Sequence, residues 1–430
     1  MRALRALFVP AALALALALA GCGGGGGGGS TPATGTTTGS GTTSGTGTST
    51  GSGSTSGSST TPPPSGNANQ VPVTVEQNPA ISSYITANMP YVTVTVCNGI
   101  GSCVTVPQVL VDTGSYGLRL FSSAIGGLSL TPMQSTAKST AGEPIGECAS
   151  FVSSALWGAV RMASVSIGSN TTTGQIPVQV VGDTTFAPST TALAGGGTVC
   201  PNASPSAGAQ QFGANGVLGV GLFANDGQAY YACSGSTCTA TKPPSQVLNP
   251  VAALPSDNNG VVLTLPAVSS VQNSVSGTLT FGVDTQTDNA LGGYTILPAD
   301  SLGYITVTLN ASSYPKSYID SGSNANFLVL PGSVPVEVNP PPPPGFYAPP
   351  SPLTYTVSLS AGTASYGATV TVAKPSSEPI GVAVFPYLAS PSSSTLTQDL
   401  GLPFFYGRSI AYAINGASTA HGIGPYYAVH

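Results

Sequence analysis

A mostly β body divided into two lobes is the fold this sequence predicts. Three observations carry the expectation. Short runs alternate apolar and polar residues with a period of two, as strands with one buried face require: YVTVTV (91–96), VRMASVSIG (160–168), IPVQVVG (176–182), GVVLTLP (260–266), GTLTFGV (277–283), YITVTLN (304–310), YTVSLS (355–360) and ATVTVA (368–373). These runs are rich in β-branched residues and are separated by Gly, Pro and Asn, which interrupt strands and make turns. Residues 71–430 are too many for one small core, so two lobes are expected. Helical segments are few and short, near 121–126 and 209–213.

Composition excludes several functions. Lys and Arg number 9 and Asp and Glu 14, so 5% of the 430 residues are charged, against about 25% in an ordinary soluble protein. Nucleic-acid binding lacks the basic surface that phosphates demand. Two His, at 421 and 430, leave no room for a His-based metal site, and a Ser-His-Asp triad would have to recruit one of them from the C-terminus. No metal and no cofactor is expected.

The first 21 residues read as an export signal. Arg2 and Arg5 precede the apolar run AALALALALA, which is too short for an ordinary membrane span. The run ends Leu19-Ala20-Gly21-Cys22, which resembles the lipobox of bacterial lipoproteins and implies that Cys22 carries the lipid. Position 23 is Gly and not Asp, which points to the outer membrane, on its periplasmic or surface side. Residues 22–70 follow as a Gly, Ser, Thr and Pro tether that cannot bury enough apolar area to fold, with a root-mean-square span of about 40 Å as flexible coil. Beyond it the membrane is touched only through this lipid, and a monomer is expected.

Six further cysteines, Cys97, Cys103, Cys148, Cys200, Cys233 and Cys238, are an even number in an exported chain and suggest three disulfides. Fifteen pairings exist. Proximity favours Cys97–Cys103 and Cys233–Cys238, leaving Cys148–Cys200. Downstream, Pro340–Pro344 forms a stiff polyproline surface loop or spacer.

Two segments match each other. Val109-Leu110-Val111-Asp112-Thr113-Gly114-Ser115 and Ser317-Tyr318-Ile319-Asp320-Ser321-Gly322-Ser323 each run from an apolar strand into Asp-[Thr/Ser]-Gly-Ser and on into a second apolar run. The pair resembles the repeated motif of pepsin-like aspartic peptidases, found once per lobe. The resemblance implies a two-lobed pepsin-like acid-protease β-barrel fold, with an N-terminal lobe at 71–290, a C-terminal lobe at 291–430 and an active-site cleft between them. In that family two carboxylates about 3 Å apart share one proton; aspartic proteases are the standard instance of this effect. By resemblance Asp112 and Asp320 are catalytic. Gly114 and Gly322 allow close approach, Thr113 and Ser321 reach across to the opposing loop, and Ser115 and Ser323 bond the outer carboxylate oxygens.

Further landmarks extend the resemblance over most of 78–430. Val217-Leu218-Gly219 looks like the family's apolar-apolar-Gly strand behind the first Asp turn, and Phe405-Tyr406-Gly407 is expected to be its C-terminal counterpart. The strand that ends the first lobe is matched by 277–284. The hairpin 151–168 is expected to be the flap, with Phe151 in place of the family's flap Tyr and Trp157 as a second candidate ring. Phe151 lacks the hydroxyl, no Trp follows the first motif, and Arg119 occupies that neighbourhood. The function implied is a membrane-anchored aspartic-type endopeptidase acting on a peptide or protein. The alternatives are a non-catalytic peptide- or glycan-binding surface lipoprotein on the same fold, and a structural lipoprotein whose Asp turns only shape loops.

Overall fold

Alternation decides which residues enter the core. In the strand Gln70–Glu76 the side chains of Val71, Val73 and Val75 are buried while their neighbours face outward. Strand Cys103–Asp112 alternates at first and is then buried on both faces over Val109–Asp112, where the chain dives into the interior toward the first Asp turn. The computed structural model describes residues 67–78, 87–151, 154–185, 192–201, 203, 208–337, 345–375 and 382–430, all within one compact unit, Pro62–His430. The signal segment, Cys22, nearly all of the tether and the Pro340–Pro344 loop lie outside the described residues.

The architecture is mostly β, in two lobes. Among the described residues, eighteen strands join in one continuous sheet and seven in a second, with only short helical turns such as Ser122–Ile125, Ala209–Phe212 and Leu402–Phe405. The larger sheet curls into the N-terminal lobe and supplies the base of the molecule. The base is a six-stranded antiparallel array in the order Gln70–Glu76, Ser274–Phe281, Gly260–Leu265, Arg408–Ala413, Tyr426–Val429, Thr295–Pro298. Three of its strands come from each side of residue 290. Sheet membership therefore does not divide at 290: the chain's last strands pair back onto Gly260–Leu265, and only residues between Ile305 and Leu400 build the second sheet.

Within each lobe a third strand threads between the two that flank an Asp turn. Gly216–Val220 runs parallel to Cys103–Asp112, with Gly219 opposite Asp112, and antiparallel to Tyr116–Phe121, with Gly219 opposite Gly117. A Cβ on Gly219 would lie 2.6 Å from the Tyr116 nitrogen, so no larger residue fits. The C-terminal counterpart is Asp399–Leu400, parallel to Ser312–Ile319 and antiparallel to Asn326–Leu328. Gly401 follows it, where a Cβ would meet the Ala325 carbonyl at 2.0 Å. The expected element Phe405-Tyr406-Gly407 is not this strand. Phe405 closes the turn Leu402–Phe405, and Tyr406 and Gly407 pair with Leu265 in the base. The apolar pattern pointed elsewhere because an acid, Asp399, holds the position that Val217 holds in the other lobe.

Disulfides join Cys97 to Cys103, Cys148 to Cys200 and Cys233 to Cys238. The middle one spans 52 residues, against 5 for the last. Cross-linking restricts the unfolded chain more as the loop lengthens. Replacing Cys148 and Cys200 together by Ala should therefore lower the unfolding free energy by about 2–4 kcal/mol, and by more than the same change at Cys233 and Cys238, as measured by urea titration.

Candidate active site

The two Asp turns meet tip to tip. A Cβ on Gly114 would lie 2.4 Å from Asp320 Cγ, and one on Gly322 would lie 2.6 Å from Asp112 Cγ, so each glycine is what lets the opposing carboxyl in. The turns are latched by exchanged hydrogen bonds. The Thr113 amide donates to Ser321 Oγ at 3.1 Å, and the Ser321 amide donates to Thr113 Oγ1 at 2.9 Å. Ser321 Oγ in turn donates to the Val111 carbonyl at 2.7 Å. From the base, the buried Tyr412 hydroxyl donates to the Ile319 carbonyl at 3.1 Å.

Each carboxyl is held by its own turn. Asp112 Oδ1 accepts from the amides of Gly114 and Ser115 at 2.9 and 3.1 Å, and Oδ2 accepts from Ser115 Oγ at 2.6 Å. Asp320 Oδ1 accepts from the Gly322 amide at 2.7 Å, and Oδ2 lies 3.0 Å from Ser323 Oγ. Burial, then the charge of Asp112 and that of Asp399, hold the Asp320 carboxyl well above the usual carboxylate range. Burial also raises the phenols of Tyr116 and Tyr318, which line the same space.

That space is a cleft of about 300 Å³ lined by both turns and by Ser150, Phe151 and Ser154. The hairpin that covers it pairs Ile145–Ser150 with Ala155–Ile167, and is not the expected 151–168. Its first strand, IGECAS, was hidden from periodicity because nearly all of it is buried on both faces. Phe151 sits in the cleft wall. Trp157 does not line the cleft. It is 2% exposed on the far side of the hairpin, packed with Cys148, Cys200, Cys233 and Cys238, where its ring fits only because residue 146 is Gly.

A second buried charge cluster lies in the cleft wall. Arg119, 1% exposed, places Nη2 at 2.6 Å from both Glu147 Oε1 and Asp226 Oδ2, and its guanidinium lies 5.9 Å from the Phe151 ring. The Tyr230 hydroxyl donates to Asp226 Oδ1 at 2.7 Å. Gln228 accepts from the Ser150 amide at 3.0 Å and so ties the cluster's loop to the root of the hairpin. Two acids oppose one guanidinium, and burial holds the Glu147 carboxyl well above its ordinary value against the pull of Arg119. The partners stand 28 and 107 residues from Arg119, too far apart for any local motif to reveal.

A two-lobed β fold whose paired Asp-[Thr/Ser]-Gly-Ser turns interlock at the base of a cleft places the protein in the pepsin-like fold class. The chain belongs to the family described as Protein of unknown function (DUF3443), whose family model matches residues 65–429. No curated protein matches it. Among solved structures it is similar to an aspartic proteinase from Irpex lacteus, with 14% identity, 84% of this chain and 96% of that chain covered, and a TM-score of 0.45.

Arg119→Met would leave Asp226 and Glu147 buried without their counter-ion. It should destabilise the protein by about 3–5 kcal/mol, as measured by urea unfolding near neutral pH. Glu147→Gln puts a neutral amide of the same shape in place of an acid that burial already pushes toward its neutral form, and should cost under about 1.5 kcal/mol.

Proposed function

We propose that the protein is an aspartic-type endopeptidase in which Asp112 and Asp320 activate one water. The observation that carries this reading is the latched pair of Asp turns. Two carboxyls come from separate lobes, each fixed by its own glycine turn and outer serine, and both are exposed to one cleft. Such a pair cannot ionise together, so one proton is shared. That proton belongs to the pair, and burial beside Asp112 and Asp399 holds the Asp320 carboxyl well above the usual carboxylate range. Asp112 then takes a proton from the water as its oxygen attacks the scissile carbonyl, while Asp320 donates to the carbonyl oxygen, giving a neutral diol. Collapse of the diol reverses the roles: the amide nitrogen receives a proton as the C–N bond breaks.

The substrate is a peptide in extended form. Hydrogen bonds from the backbone at Ser150, Phe151 and Ser154, which line the cleft, would hold its main chain, as an added strand is held. Phe151 offers an apolar ring and no hydroxyl, so orientation from above the dyad falls to main-chain groups.

Asp112→Asn and Asp320→Asn should each lower peptide cleavage by at least about a hundredfold without loss of folding, and the double variant should be little worse than either. The wild type should show a bell-shaped pH profile whose limbs belong to the pair. Cleavage of a peptide library by the full-length protein and the three variants, with folding checked by circular dichroism, decides it. Equal cleavage by all four would assign the activity to a contaminant. A folded wild type that binds library peptides and cleaves none across acid to neutral pH would make this a binding protein.

We further propose that the chain is exported and anchored to the outer membrane through lipid on Cys22, on the strength of the LAGC sequence at 19–22. Cys22→Ala should move the protein from the membrane to the soluble fraction on cell fractionation. Unchanged membrane association with unchanged gel mobility would rule the anchor out.

A further inference from the structure

The dyad has a third carboxyl behind it. Asp399 is 4% exposed at the end of the strand that threads behind the Asp320 turn. Its Oδ2 lies 2.7 Å from Ser323 Oγ, and Ser323 Oγ is also 3.0 Å from Asp320 Oδ2. A serine hydroxyl has one proton to donate. It cannot satisfy two carboxylate oxygens at once, so one of the two acids must supply the second proton of the chain. Asp399 Oδ1 is buried with no hydrogen-bond partner, a position that a carboxyl oxygen tolerates far better when the group is neutral. The charged groups acting on it are acids: Asp112 across the dyad and Asp320 on the adjoining turn, with the Tyr318 phenol on the paired strand. Burial, and then the charge of Asp112, push Asp399 up to about 8 against the pull of the Ser323 hydrogen bond.

The other lobe supplies an internal comparison. Val217 occupies the register position of Asp399, opposite Leu110 as Asp399 is opposite Tyr318. Ser115 accordingly has a single carboxylate to serve, Asp112. The extra acid is thus confined to one side of an otherwise matched pair of turns.

We propose that Asp399 is a positioning residue for the dyad: while protonated it donates to Ser323 Oγ, Ser323 donates to Asp320 Oδ2, and the directed chain holds the outer oxygen of Asp320 in place. When Asp399 ionises, the Ser323 proton turns toward it. Asp320 then loses its outer donor and gains a negative neighbour. No bond to carbon is made or broken, and the only proton released goes to solvent. The consequence for turnover rests on the proposed peptidase function; the proton-sharing itself does not.

The test is an infrared titration of protonated carboxyls in the full-length protein, run beside peptide cleavage over the same pH range. The wild type should lose one carboxylic-acid signal through about pH 8, and Asp399→Asn should lack that step. Ser323→Ala should retain it at higher pH, by about one unit, because ionised Asp399 has lost its donor. Asp399→Val, which copies the other lobe, serves in place of Asp399→Asn if the amide variant does not fold. A step that persists without Asp399, or that Ser323→Ala leaves unmoved, overturns the relay. In the cleavage arm, wild-type kcat should show a fall through the same step in addition to the limbs set by the pair, while KM does not follow it, and Asp399→Asn should lose that feature. Cleavage whose kcat ignores the step also overturns the proposal. An infrared step that behaves as expected, with no cleavage at any pH, sustains the relay and removes the peptidase reading instead.

Discussion

The exchange of hydrogen bonds between Thr113 and Ser321 is the interaction on which the site depends. Two turns that each end in a carboxyl repel one another unless something holds them together, and the repulsion is strongest in a dry, low-dielectric interior. Here each turn donates an amide to the hydroxyl of the other, and Ser321 passes its own proton back to the Val111 carbonyl. Both amides and the Ser321 hydroxyl at the crossing thus have partners, which offsets the cost of burying them. The two glycines make the approach possible, and the threaded strands behind the turns keep the backbone from springing away. Beneath both, Tyr412 joins the base sheet to the Asp320 turn, so that a sheet built from both ends of the chain fixes the spacing of groups drawn from its middle.

A chain with so few charges has placed several of them where they are most costly. Arg119, Asp226, Asp112 and Asp320 line one cleft, and the buried Glu147 and Asp399 stand behind it, bonded to Arg119 and Ser323. Buried ion pairs contribute little net stability compared with apolar packing, and breaking one is expensive. The polar work of the outer surface falls instead to Ser, Thr and Asn, whose hydroxyl pairs cross the exposed strands, as Thr95 with Thr105 and Ser358 with Ser365.

What could be read from the sequence follows from where the information resides. The Asp turns were legible because strand, acid, glycine and serine are contiguous, and the half-buried strands because alternation marks them. Elements buried on both faces carry no such mark, which is why IGECAS was missed as the first arm of the covering hairpin. The strand Asp399–Leu400 was missed for a different reason. It has only two residues, and its first is an acid where the pattern calls for an apolar side chain, so the next apolar-apolar-Gly triplet downstream took its place in the reading. Trp157 was misjudged because an aromatic residue near a loop tip alternates with the pleat. Phe151 lies in the cleft wall, whereas Trp157, six positions along and beyond the turn, packs on the disulfide side.

The departures from a symmetric pair of lobes point in one direction. Five carboxyls, those of Asp112, Asp320, Asp399, Glu147 and Asp226, share the cleft region with a single guanidinium. They cannot all be ionised in so enclosed a space, because each added charge raises the proton affinity of the rest. Glu147 and Asp320 both lie well above their ordinary values, and Asp399 is pushed up to about 8. Burial and mutual repulsion thus shift these carboxyls toward their neutral forms. The low dielectric of the lobes and the mutual repulsion of the carboxyls favour the protonated forms, and the latch at Thr113 and Ser321 keeps that repulsion from parting the two turns.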